Sequence, residues 1–177
     1  MSKNIKDLEV LISSNELDKR IREVAKEINE AYGEKDELVL ICVLKGALMF
    51  FTELSKHLKM PVKMEFVSLS SYGDAQKSTG KVTAMNLSLP NLEGKRALVV
   101  EDIVDTGLTL DFLIKLLKSK CGADEVKLCA LFDKKCARKY PVIPDFCAFD
   151  IDDKFIVGFG LDYNELYRNI NYVGYFP

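Results

Sequence analysis

Apolar and polar residues recur along this chain with two periods, and each period marks a kind of element. Ser13 with Glu16 three residues on has the form of a capping box; Leu17, Ile21, Val24, Ile28 and Ala31 then follow at helical spacing, and Gly33 stands where a helix would stop. From Glu37 to Leu44 the pattern changes to a short unbroken apolar run rich in β-branched residues. Such a run predicts a strand covered on both faces, hence a parallel sheet. After Lys45 and Gly46, the stretch Ala47 to Leu54 turns helical and ends before Pro61. Lys63 to Ser70 and Lys81 to Leu89 are strand-like, and Arg96 to Glu101 is another buried strand. A helix is predicted from about Leu108 to Lys120 with Gly122 as its stop, followed by a strand from Glu125 to Phe132. Phe146 to Ile151, Phe155 to Phe159 and Tyr172 to Phe176 are short β-prone segments between polar turns. Ser71 to Gly80 has no large apolar residue except Tyr72 and can bury little, so a mobile loop is expected over about 70–81. Strands alternating with helices in the centre predict an α/β fold, and the surplus of short strands near the C-terminus predicts a small added subdomain.

Composition narrows this picture. With 177 residues, 48% of them hydrophobic and 29% charged, the chain is the size of one domain with a real core. Its net charge of -2 argues against a broad electrostatic footprint for nucleic acid or an anionic membrane, while leaving room for a local basic pocket. The five cysteines include no C-x-x-C pair, so reduced, mostly buried thiols in a cytoplasmic protein are expected. No apolar run has the length needed to cross a bilayer, and the first residues lack the apolar stretch of a signal peptide, so the protein is expected to be soluble. His57 is the only histidine, which excludes a multi-histidine metal site and leaves it a solvated role near a helix end.

The candidate chemistry lies in Val99 to Leu110, which leaves a buried strand, passes Glu101, Asp102 and Asp105, and enters a helix. In open α/β sheets, ligands sit beyond the carboxyl ends of strands. Asp105, Thr106, Gly107, Leu108 and Thr109 offer main-chain N–H groups, two hydroxyls and a flexible glycine at a helix N-terminus. Hydrogen bonds and the helix dipole there favour a monophosphate. Glu101 and Asp102 stand beside it as hard carboxylates for sugar hydroxyls or for water molecules on Mg²⁺. A strand end with solvated acids is the plainer reading, but the Thr-Gly-x-Thr helix entry favours a phosphate. Other phosphate motifs fit worse: the chain has neither G-x-x-x-x-G-K-[ST] nor G-x-G-x-x-G after a strand. A dehalogenase-type phosphotransfer site wants D-x-D-x-T near the first strand, whereas Asp102 and Asp105 have the wrong spacing and lie mid-chain.

The segment from Glu101 to Thr109 resembles the phosphoribosyl-pyrophosphate signature of the type I phosphoribosyltransferases, and the rest of the chain from about Leu38 to Tyr175 resembles their hypoxanthine-guanine branch. The resemblance implies the type I fold, a central mostly parallel sheet flanked by helices with a small hood. The whole chain, 1–177, would be one such domain, with a core of about 35–140 and a hood from both terminal segments. It implies a Mg²⁺-dependent transferase that joins a 6-oxopurine to phosphoribosyl pyrophosphate, usually as a homodimer or homotetramer. Site roles follow the same resemblance. Glu101 and Asp102 would hold the ribose hydroxyls and metal, Asp105 to Thr109 would wrap the 5′-phosphate, and Asp105 would also contact the base. Lys45, Gly46 and Arg168 would hold pyrophosphate, the Lys45–Gly46 peptide being one that can be cis, and Ser71 and Tyr72 would begin a loop that closes over the reacting centre. Lys134 would donate to the 6-oxo group, Phe155 would stack on the purine, the Lys154 and Ile156 main chain would read its edge, and Asp162 would hold a second Mg²⁺ through water. The alternative is a regulator on the same fold that binds nucleotides and RNA with weak or no catalysis; the absence of a basic run argues against it.

Overall fold

A computed structural model describes residues 5–69 and 90–177. In chain order the elements are β1 (Glu9–Ile12), α1 (Ser14–Tyr32), β2 (Leu38–Leu44), α2 (Leu48–Ser55), β3 (Val62–Ser68), β4 (Arg96–Val104), α3 (Leu108–Ser119), β5 (Glu125–Asp133), β6 (Phe146–Asp150), β7 (Ile156–Val157) and β8 (Val173–Tyr175). The mobile loop and the strand expected over 81–89 lie outside the described residues.

The start of α1 is set by reciprocal capping. The Glu16 amide donates to Ser13 Oγ at 3.4 Å, and the Ser13 amide donates to Glu16 Oε2 at 2.9 Å. Its end comes at Gly33, whose N–H donates to the Asn29 carbonyl at 2.9 Å. The apolar stripe is Leu17, Ile21, Val24, Ala25, Ile28 and Tyr32. Ala31 is exposed instead of buried, because the stripe closes four residues after Ile28, on Tyr32. Arg20 fastens the helix to the sheet edge by donating to the Cys147 and Ala148 carbonyls of β6 at 2.8 and 2.9 Å.

The described central sheet has five strands in the order β3-β2-β4-β5-β6, every pairing parallel. Its two faces can be read off the pleat. Leu38, Leu40 and Cys42 of β2, Leu98 and Val100 of β4, and Cys129 and Leu131 of β5 pack with α1 and α2 on one side. The alternate residues Val39, Ile41, Ala97, Val99, Leu128 and Ala130 pack with Leu110, Leu113 and Leu117 of α3 on the other. Burial on both faces is why β2 reads as an unbroken apolar run. Strand β4 runs three residues beyond the predicted end at Glu101, because Ile103 and Val104 pair with Phe132 and Asp133 of β5. The acids therefore sit on the strand itself.

A smaller sheet, β1-β8-β7, is antiparallel and joins both ends of the chain. β1 was not anticipated: its four residues form a strand only by pairing with β8 at the far end, and a bulge between Val10 and Ile12 hides the alternation. Leu8, Val157 and Ile170 fill this hood, with Tyr163, Tyr167, Tyr172 and Phe176 around them.

Candidate active site

The chain passes from β2 to β3 on one side of the sheet and resumes with β4 on the other side of β2, so the strand order reverses between β2 and β4. Such a switch point opens a crevice at the carboxyl ends of the strands. A cleft of about 240 Å³ lies there, lined by Gly46 after β2, Glu101 and Asp102 of β4, and Asp105, Thr106, Gly107 and Thr109 leading into α3. Gly46 is required by close approach, since a Cβ there would overlap the Asp102 carboxylate. Gly107 takes φ 84° at the N-cap of α3, where its carbonyl accepts from the Asp111 amide at 2.9 Å. The seven residues named above were all expected at the site.

The acid pair forms a corner of the cleft in which Glu101 is buried and Asp102 half-buried. Glu101 is 8% exposed, and its Oε1 accepts from the Asp102 amide at 3.1 Å. Burial, and then the neighbouring Asp102 charge, push its carboxyl well above the usual carboxylate range. Asp102 Oδ1 accepts from the Ile103 amide at 2.8 Å. The same corner acts on Cys42 beneath it: burial first, then Glu101 and Asp102, push the thiol up to about 12. A buried acid beside a second acid calls for a cation or a polar ligand. Among the described residues no group of three or more His, Cys, Asp or Glu could form a protein-only metal cage. Two adjacent carboxylates suit Mg²⁺, which keeps its waters and shares ligand oxygens instead of entering such a cage.

Lys45 and Arg168 sit outside the cleft lining, in a chain of ion pairs linking the Lys45–Gly46 turn to the hood. Lys45 Nζ meets Glu165 Oε2 at 2.6 Å. Arg168 meets Asp162 Oδ1 at 2.6 Å and Glu165 Oε1 at 3.4 Å, and donates to the Gly160 carbonyl at 2.8 Å. Asp162 Oδ2 accepts from the Glu165 amide at 2.8 Å. The cis peptide bond of this turn joins Leu44 to Lys45, one bond before the expected Lys45–Gly46 link.

None of the purine-side candidates lines this cleft, and Lys154 lines a separate one with Leu11, Ile12 and Asp150 to Asp152. Lys134 follows β5; its amide donates to the Val104 carbonyl at 3.0 Å and its ammonium pairs with Asp153 at 2.7 Å. The Asp153 hydrogen bond holds the Lys134 ammonium above its ordinary range despite partial burial, and Asp105 adds to the effect. Phe155 is 61% exposed, with its ring 6.1 Å from Tyr163 in an edge-on contact. Lys154 lies over the Tyr175 ring at 5.0 Å, and Ile156 is buried in β7. Leu108 begins α3 beside the cleft, and Ser71 and Tyr72 lie outside the described residues.

A model of the phosphoribosyl transferase domain matches residues 13–164. The chain belongs to the phosphoribosyl transferase domain family. This phosphoribosyltransferase is 41% identical over 165 residues to the hypoxanthine-guanine phosphoribosyltransferase of Bacillus subtilis (strain 168), covering 93% of this chain and 91% of that protein. It is 42% identical over 170 residues to the hypoxanthine-guanine-xanthine phosphoribosyltransferase of Tritrichomonas foetus, covering 95% and 91% respectively. A solved hypoxanthine phosphoribosyltransferase from Staphylococcus aureus superposes with a TM-score of 0.88 at 34% identity, covering 97% of this chain and 93% of that one. The fold is therefore the type I phosphoribosyltransferase fold, with its parallel sheet, flanking helices and hood.

Sequence reasoning missed four polar residues around the site of this phosphoribosyltransferase: Asp133, Arg138, Asp153 and Glu165. Asp133 carried a signal, a carboxylate ending an apolar strand at the same sheet edge as Glu101. It is 4% exposed and pairs with Arg138. The other three have no local signature for what they reach: Lys134 for Asp153, the Val104 and Asp105 carbonyls for Arg138, and Lys45 for Glu165 all come from distant segments.

Proposed function

We propose that this chain is a purine-salvage phosphoribosyltransferase converting hypoxanthine, guanine or both, with phosphoribosyl pyrophosphate, to IMP or GMP and pyrophosphate. The observation that carries this reading is the loop Asp105 to Thr109 at the N-terminus of α3, opening into a cleft beside buried Glu101 and half-buried Asp102. Relatives covering more than nine-tenths of the chain are named for this reaction. The RNA-binding regulator weighed from the sequence is not favoured, since relatives covering more than nine-tenths of the chain are named as the enzyme.

In the proposed mechanism the loop binds the 5′-phosphate through main-chain amides and the Thr106 and Thr109 hydroxyls, while Glu101 and Asp102 accept from the ribose hydroxyls. Purine N9 attacks C1′ as the bond from C1′ to pyrophosphate oxygen breaks, with inversion. Asp105, exposed at the cleft wall, takes or shares the purine N7 proton as N9 becomes nucleophilic. Lys134 donates to the 6-oxo group and so disfavours adenine, whose amino group would leave a donor without a partner. Phe155 stacks on the base, and the Lys154 and Ile156 main chain reads its edge. Lys45, Gly46 and Arg168 receive the departing pyrophosphate. Mg²⁺ would be held near Glu101, Asp102 and Asp162, largely through water and substrate oxygens, and when bound supplies charge neutralisation for pyrophosphate. Ser71 and Tyr72 would cover the reacting centre.

The proposal treats 1–177 as one domain with a core of about 35–140, working in the cytoplasm as a homodimer or homotetramer and without a nucleic-acid or membrane partner. Among the described residues no helix is long and apolar enough to cross a membrane. The deciding experiment is pyrophosphate release from phosphoribosyl pyrophosphate and Mg²⁺ with each free purine. Turnover with hypoxanthine or guanine, and kcat/KM for adenine lower by about 100-fold or more, is expected. Release with no 6-oxopurine, or equal use of adenine, rejects it.

A further inference from the structure

The cradle expected to bind the 5′-phosphate is held from behind by one side chain. Arg138 Nε donates to the Asp105 carbonyl at 2.9 Å, and its terminal nitrogens donate to the Val104 carbonyl at 3.0 Å and to the Val142 carbonyl. One of them also pairs with Asp133, so the guanidinium spans four acceptors while its side chain stays 16% exposed. The adjoining amides of Lys139 and Tyr140 both donate to the Thr106 carbonyl at 3.0 Å. Gly107 closes the contact: a Cβ there would lie 3.2 Å from Arg138 Cδ and 3.3 Å from the Tyr140 carbonyl oxygen.

These bonds fix which way the loop's peptides face. The C=O and the following N–H of a trans peptide point to opposite sides. Holding the Val104, Asp105 and Thr106 carbonyls against residues 138–140 therefore turns the amides of Asp105, Thr106 and Gly107 the other way, toward the cleft their residues line. The planar fork of an arginine reaches several fixed carbonyls at once, which an ammonium at a single point does not. Asp133, 4% exposed, balances the guanidinium charge and aims the fork.

Resting on the phosphate-loop reading above, we propose that Arg138 is a positioning residue for the reaction: it orients the main-chain amides that receive the sugar 5′-phosphate without touching substrate. Its contribution falls on phosphoribosyl pyrophosphate and spares the purine.

The test uses Arg138→Lys, which keeps a cation beside Asp133, and the double variant Arg138→Gln with Asp133→Asn, which removes both charges together. Ribose 5-phosphate binding is measured by calorimetry alongside steady-state KM for phosphoribosyl pyrophosphate and for hypoxanthine, with folding checked by circular dichroism. A folded variant is expected to lose at least about tenfold in ribose 5-phosphate affinity and to raise KM for phosphoribosyl pyrophosphate by a similar factor, with KM for hypoxanthine within about twofold. The proposal is overturned if ribose 5-phosphate affinity stays within about twofold of wild type, if KM for both substrates rises together, or if neither variant folds, since Arg138 is then a general structural residue. Failure of the wild-type protein to bind ribose 5-phosphate removes the phosphate-loop reading itself, and this inference falls with it.

Discussion

The two walls of the site are held by different kinds of bond. On the β4–α3 side, Glu101 to Thr109 are contiguous, rise from a strand paired on both flanks, and have the carbonyls of Val104 to Gly107 taken up by main-chain amides and Arg138. On the hood side, Lys45, Asp162, Glu165 and Arg168 meet through side-chain ion pairs, and Lys45 and Glu165 are both more than 60% exposed. Several hood residues, Phe159, Asn164, Glu165 and Tyr167, also have positive φ. The first wall is preorganised, with its shape set before any ligand arrives. The second holds its cations against its own carboxylates. Glu165 is bonded to Lys45 and Arg168 together, so an anion bound by those cations would compete with it.

The largest expected effect probes chemistry on the preorganised wall. Asp105→Asn should lower kcat on the order of 1000-fold while nucleotide product affinity, measured by calorimetry, changes little; unchanged turnover rejects a proton role for Asp105. Gly46→Ala follows, since its Cβ would push the Asp102 carboxylate aside. A displacement near 1 Å at a reacting centre costs about 100-fold, so kcat/KM for phosphoribosyl pyrophosphate should fall by that order. Near-wild-type kinetics would mean that this wall is softer than its packing implies.

Leu98→Ala tests the scaffold beneath. Leu98 is fully buried in β4, and truncation should cost about 2–5 kcal/mol in urea unfolding. Glu165→Gln probes the opposite wall and should act more gently. Exposed ion pairs are weak and easily exchanged, so the thermal midpoint should not move, while pyrophosphate should bind about twofold to fivefold more tightly. Weaker binding would show that Glu165 supports the anion site instead of filling it. The smallest effect is chemical labelling at pH 8. Cys42, buried with its thiol pushed up to about 12, should resist a maleimide until the protein unfolds, whereas exposed Cys136 should react first. Early loss of Cys42 would reveal opening beneath the acid pair.

The legibility of the molecule follows the same division. The α1 cap, the β2 run and the helix entry at Asp105 to Thr109 could be read because each states its physics within a few neighbouring residues. The end of β4 could not, because Ile103 and Val104 extend the strand only by pairing with Phe132 and Asp133. The closing position of α1 was misplaced by one residue: Ala31 and Tyr32 stand three and four residues after Ile28, both compatible with the helical repeat, and packing buries Tyr32. Arg138 and Glu165 look like ordinary charged residues until the fold brings their partners to them. The expected loop and strand around Ser71 and Tyr72 lie outside the described residues.

By itself, the order of residues determined the alternation of strands and helices, the parallel character of the sheet and the run of acids, hydroxyls and glycine at the entry to α3. Hydrophobic periodicity, capping and turn preferences act over a few residues and need no distant partner. Only the tertiary structure decided where the strand order reverses, which carbonyls Arg138 binds and which carboxylate meets Lys45 across a separation of 120 residues. Those contacts depend on how distant segments pack, and a side chain carries no local mark of the neighbour that packing will bring.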